Sequence, residues 1–147
     1  MYTHLLVPVD GSQLSEQAMR HSVAFARQLG ARITAFVAEP GGPLPAVGQT
    51  ASGLQRELEE HRARTERHAH ELLRRFEATA RAAGVAFSGQ PVWTERIDDA
   101  IVSAAAEHGC DMIVMVTHGR HGLSRLWHGS HTEAVMARTK LPLLVLH

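Results

Sequence analysis

The sequence predicts a single α/β domain, a doubly wound sheet of five parallel strands with helices on both faces. Three observations carry that reading. Short apolar runs alternate with helical-period segments along the whole chain. The run Asp111-Met112-Ile113-Val114-Met115-Val116 is continuously apolar after its first residue, as expected of a strand covered on both faces. Finally, 147 residues that are 44% hydrophobic and 20% charged suffice for one packed core and leave little room for a second domain.

Leu5-Leu6-Val7-Pro8-Val9 is a strand, stopped by the turn Asp10-Gly11-Ser12. Ser12 or Asp10 caps the helix that follows, with Glu16 in its first turns. Leu14, Ala18, Val23, Ala26 and Leu29 recur at helical spacing, and Gly30 supplies the C-cap. Arg32 to Ala38, rich in β formers (Ile33, Thr34, Phe36, Val37), is the second strand. From Glu39 to Ser52 the residues Pro40, Gly41, Gly42, Pro43, Pro45 and Gly48 forbid regular structure and make the one long loop.

Gly53 to Ala83 reads as a long helix with an apolar stripe through Leu54, Leu58, Ala69, Leu72, Phe76, Ala80 and Ala83. The Glu and Arg residues lacing its first half, with His61, His68 and His70, form a solvated face. Gly84 ends it. Val85 to Trp93 is the third strand, Asp98 caps a short helix to His108, and Gly109 closes that helix. After the fourth strand comes a Gly- and His-rich loop, Thr117 to Gly129; Ser130 starts a final helix to about Thr139, and Pro142 to Leu146 is the fifth strand. Such alternation calls for right-handed crossovers.

Composition excludes several functions. Fifteen basic and fifteen acidic residues balance to a formal net charge of +0, and aromatics make up only 5%, so neither a phosphate-tracking face nor a base-stacking platform is indicated and no nucleic-acid partner is expected. No apolar run approaches the roughly 20 residues of a membrane span, and Met1-Tyr2-Thr3-His4 runs straight into strand one without a secretory leader pattern. Cys110 is the only cysteine, so no internal disulfide can form; before a buried strand it reads as a small core residue. The expectation is a cytoplasmic protein.

In a doubly wound sheet, ligands bind outside the carboxyl ends of the strands where the strand order reverses. Two loops qualify: Asp10-Gly11-Ser12, and Thr117 to Ser130 with Gly119, Gly122 and Gly129. Glycines let backbone approach a ligand, and free N–H groups at a helix start favour phosphate; the same loops also serve as plain turns, and Asp10 as a plain cap. No Gly-x4-Gly-Lys-Ser/Thr loop is present, Lys140 being the only lysine, and no Gly-x-Gly-x-x-Gly follows a strand.

Taken together, Leu6-Val7-Pro8-Val9-Asp10-Gly11-Ser12, the stretch Asp111 to Arg125, and Gly129-Ser130 with Leu141-Pro142-Leu143-Leu144-Val145 resemble the opening, fourth strand and end of universal stress proteins. The resemblance covers the chain in order. It implies a strand order 3-2-1-4-5, a homodimer joined through the fifth strands, and ATP, with Mg, bound through Gly-x2-Gly-x9-Gly-Ser/Thr. Residue by residue, Gly119 is the second motif glycine, Gly129 the third and Ser130 the hydroxyl, with the nine residues Arg120 to His128 between the glycines; Val116 stands where the first glycine belongs. Pro8, Val9 and Asp10 match positions lining the adenosine pocket, Val37 and Met115 positions touching adenine, and His118, Arg120 and His131 complete the loop that the resemblance assigns to the adenine nucleotide. Two readings follow: a nucleotide-binding dimeric regulator of the stress response, or a nucleotide-independent dimeric scaffold whose site has decayed at Val116.

The histidines His118, His121, His128 and His131 cluster in one loop, but structural zinc sites usually include cysteine, so no metal site is assigned. No nucleophile, base and orienting group can be assembled, and the chain is not expected to be an enzyme beyond a weak ATPase.

Overall fold

The computed structural model of the chain describes residues 1–10, 16–39, 41–116 and 129–146, with residues 10, 116 and 129–131 described by backbone alone. The elements run β1 (His4–Asp10), α1 (Glu16–Leu29), β2 (Arg32–Glu39), α2 (Ala51–Ala82), β3 (Phe87–Trp93), α3 (Ile97–Glu107), β4 (Met112–Val116), α4 (Gly129–Arg138) and β5 (Leu143–Leu146). The sheet is five-stranded in the order β3-β2-β1-β4-β5, and each neighbouring pair is parallel. Both the fold class and the strand order expected from the sequence are therefore observed.

Strand alternation divides the core between two faces. Leu5, Val7 and Val9 of β1 with Ile33, Ala35 and Val37 of β2 pack against Val23 and Ala26 of α1 and Leu72, Phe76 and Ala80 of α2. Leu6, Phe36, Ala38, Ile113 and Met115 pack on the other face against Ile97, Ile101 and Ala105 of α3 and Val135 of α4. The continuous apolar runs are thus explained: successive residues belong to opposite cores, and both are sealed. Only the second half of α2 joins the core, its buried residues beginning at Ala69.

Several boundaries differ from expectation. α2 begins at Ala51 rather than Gly53, because Thr50 caps it: its Oγ1 accepts the Gly53 N–H at 3.1 Å, a cap typically contributing about 1 kcal/mol. Val85 is not yet in β3, because Gly84 takes φ +73° and lets the Val85 N–H donate to the Ala80 carbonyl at 2.9 Å. Gly109 does the same after α3 with φ +63°, and Cys110 N–H donates to the Ala105 carbonyl at 2.8 Å. Asp98 is not a cap: Arg96 holds that position without a side-chain bond, and Asp98 and Asp99 lie in the first helical turn, where carboxylates complement the helix dipole. His4 and Asp10 belong to β1, paired with Arg32 and Ala38. The proposed cap Ser12 and its neighbour Leu14 lie outside the described residues.

Candidate functional site

β1 is where the connections change direction: β2 lies on one side and β4 on the other, which is the topological switch point. β1 pairs with β2 along its full length, from His4↔Arg32 to Asp10↔Ala38. Its described pairs with β4, Leu5↔Met112 and Leu6↔Ile113, lie at the amino ends of both strands. Pro8, Val9 and Asp10 occupy the carboxyl end of β1, and Val9 registers with Val37 of β2. Val116 remains in β4, opposite Leu146 of β5, so extended backbone persists to the strand end, as a β-branched residue favours.

The structure brings Pro8, Val9, Asp10 and Val37 together on adjacent strands, with Met115 and Val116 one strand away on β4. Val37 and Met115 have 0% exposure and sit in opposite cores, so they shape the strand ends without converging as side chains on one pocket. Gly129 and Ser130 open α4, a helix start followed at once by a hydroxyl residue, the donor chemistry a phosphate favours. His118, Gly119 and Arg120, with His121 and His128 of the histidine cluster, lie outside the described residues, and His131 is described by backbone alone.

Sequence reasoning missed the wall built beside this edge by β2, β3 and α2. Trp93, the last residue of β3, donates its indole N–H to Thr65 Oγ1 at 3.1 Å, and the Arg62 guanidinium lies 4.9 Å from the centre of its ring. The Gly41 N–H donates to Glu95 Oε1 at 2.8 Å, fastening the loop after β2 to the turn after β3. Glu39, expected to open that loop, instead ends β2, only 4% exposed, with His68 Nδ1 3.8 Å from its Oε1. His68 is therefore not purely solvated, and Gly42 packs so close to His61 that an added Cβ would meet its ring at 3.2 Å. A Trp at a strand end and a Thr mid-helix are the only sequence signals for this clamp, and neither names its partner.

Cys110 is buried, and burial pushes its thiol up to about 11, Asp111 adding to the effect and Arg32 opposing it, so it is inert near neutrality. No helix among the described residues is long and apolar enough to cross a membrane.

The family model described as "Universal stress protein family" matches residues 1–147. A universal stress protein of Methanocaldococcus jannaschii is 29% identical over 150 residues, covering 99% of this chain and 82% of that protein. Among solved structures, the universal stress protein UspA from Lactobacillus plantarum matches with a TM-score of 0.78 at 24% identity, over 99% of this chain and 98% of that one. A universal stress protein from Archaeoglobus fulgidus in complex with dAMP matches with a TM-score of 0.56 at 17% identity, over 99% and 98% of the two chains. With a family match running the length of a chain that has this strand order, the chain belongs to the universal stress protein family.

Proposed function

We propose that this chain is a nucleotide-binding regulatory protein of the cytoplasm that takes an adenine nucleotide, ATP with Mg, at the carboxyl ends of β1 and β4. The observation that carries the reading is the placement of Pro8, Val9 and Asp10 at the switch point together with the retained spacing of Gly119, Gly129 and Ser130 in the chain. A relative crystallised with dAMP supports the ligand class. In this reading the start of α4 at Gly129 and Ser130 holds phosphate, the backbone beside Val37 and Met115 meets the base, and Asp10 serves ribose hydroxyls or the metal. Its role is binding rather than catalysis, since attack on a phosphate needs a positioned base for water and no residue is assigned to that task.

Calorimetric titration of the parent and of Ser130→Ala with ATP and Mg tests the site. A hydrogen bond to a charged group is worth roughly 1.5–3 kcal/mol, so Ser130→Ala should weaken binding by about ten- to a hundredfold. Unchanged affinity in the variant would put the phosphate elsewhere. The second reading, a scaffold that has lost its nucleotide, is favoured by one observation, Val116 in the first motif position; it requires that the parent bind no ATP.

Assembly belongs to the same proposal. β5 lies at the sheet edge with Leu143, Leu144, Val145 and Leu146 all half-buried. An apolar edge strand invites pairing unless covered, and antiparallel pairing with β5 of a second copy would cover it with two-fold symmetry. Light scattering at micromolar concentration should give the mass of a dimer; a monomer would remove β5 as an interface.

A further inference from the structure

The amino edge of the sheet, opposite the candidate site, contains a buried imidazole. His4 is 5% exposed and Thr34 3%. His4 Nε2 lies 2.7 Å from Thr34 Oγ1, which lies 3.0 Å from Ser88 Oγ, so one hydrogen-bond chain crosses β1, β2 and β3. The other ring nitrogen, Nδ1, is buried with no hydrogen-bond partner.

The backbone that carries the ring is held in place. The His4 backbone N–H donates to Asp111 Oδ1 at 3.0 Å, and the Asp111 N–H donates back to the His4 carbonyl at 2.9 Å. Thr3 adds its own N–H and hydroxyl to Asp111 Oδ2 at 2.8 and 2.9 Å. The charged and titratable groups facing the ring are Arg32 from β2, Asp111 at the approach to β4 and His108 from the turn after α3. His108 is itself engaged, its Nε2 3.2 Å from the Gln90 amide nitrogen.

Neutral imidazole suits this place: Nε2 bonds Thr34, and the neutral ring buries no charge. A second proton would put a charge in the core beside the Arg32 cation. Burial first, then Arg32 and to a lesser degree His108, hold the His4 pKa below its ordinary value, while the Gly109 backbone and Asp111 pull the other way without prevailing.

We propose that His4 is a proton-sensitive element of the fold, a buried imidazole bonded to Thr34 and carried on backbone that Asp111 fastens, whose protonation loosens the amino edge of the sheet as the medium becomes mildly acidic. The sign follows from linkage. The unfolded chain takes up this proton near the ordinary histidine pKa of about 6.5, whereas the folded chain does so only at lower pH. Stability is therefore full above about 6.5, declines as pH falls through that value, and levels off below the folded pKa. Asp111 acts in a separate window. Burial raises its pKa, but the bonds from Thr3 and His4 outweigh burial and leave it lowered, so its contribution is lost only below the ordinary carboxylate range.

Urea unfolding of the parent and of His4→Gln between pH 7.5 and 5.0 tests this. Gln keeps an amide N–H for Thr34 and does not titrate. The folding equilibrium constant of the parent should fall relative to that of the variant, by at most about tenfold per pH unit. Parallel curves would overturn the proposal. Should the variant not fold, an NMR titration of the imidazole rings of the parent decides: a His4 midpoint below those of the exposed histidines supports it, and one at or above them overturns it.

Discussion

Replacing Phe76 with alanine should cost the fold about 3–5 kcal/mol, the range for deleting a buried aromatic ring. Phe76 is fully enclosed, on the stripe by which α2 packs against the sheet. Its ring lies 5.0 Å from that of Phe87 with the planes tilted 53°, a contact worth about 0.5–1.5 kcal/mol beyond the area buried. The site cannot collapse easily, because Leu72, Leu73 and Ala80 on the same helix are themselves buried in the same core. Against a typical total of about 5–15 kcal/mol, that loss leaves the domain marginal. Urea unfolding at pH 7.5 measures it; a loss below about 1 kcal/mol would mean that α2 does not pack on the sheet through this residue.

The second large effect concerns Val116. Where the family motif has glycine, this chain carries a branched side chain at the end of β4, beside the strand that ends in Pro8, Val9 and Asp10. Extra bulk at a close-packed contact costs typically 1–3 kcal/mol, so Val116→Gly should bind ATP about ten- to a hundredfold more tightly than the parent. A thermal melt separates this from its alternative. If the isopropyl group packs beneath the loop, the variant will melt lower and its affinity will not change.

The fold was legible because its signals are local and repeated. Leu5 to Val9 and Met112 to Val116 announce buried strands by composition alone, and the spacing of Leu72, Phe76 and Ala80 announces the face of α2 that meets the sheet. Boundaries were less legible because they depend on single hydrogen bonds: the Thr50 cap starts α2 at Ala51, ahead of Gly53, and the Val85 N–H turns back to Ala80 before β3 begins. At the site, the sequence pattern pointed to the carboxyl ends of β1 and β4, and pairing does set Pro8, Val9 and Asp10 beside β2 there. It offered nothing on the joining of Trp93 to Thr65 or on the burial of Glu39 and His4. Those depend on elements distant in the chain, and a polar residue next to a strand reads as solvated until its neighbour across the sheet is known.

Titration calorimetry of the unmodified protein with ATP and Mg tests most directly the proposed binding of adenine nucleotide despite Val116. A saturable isotherm at one nucleotide per chain, weaker than that of Val116→Gly, is expected. No heat of binding in either protein would contradict it and leave the dimeric scaffold as the reading that stands.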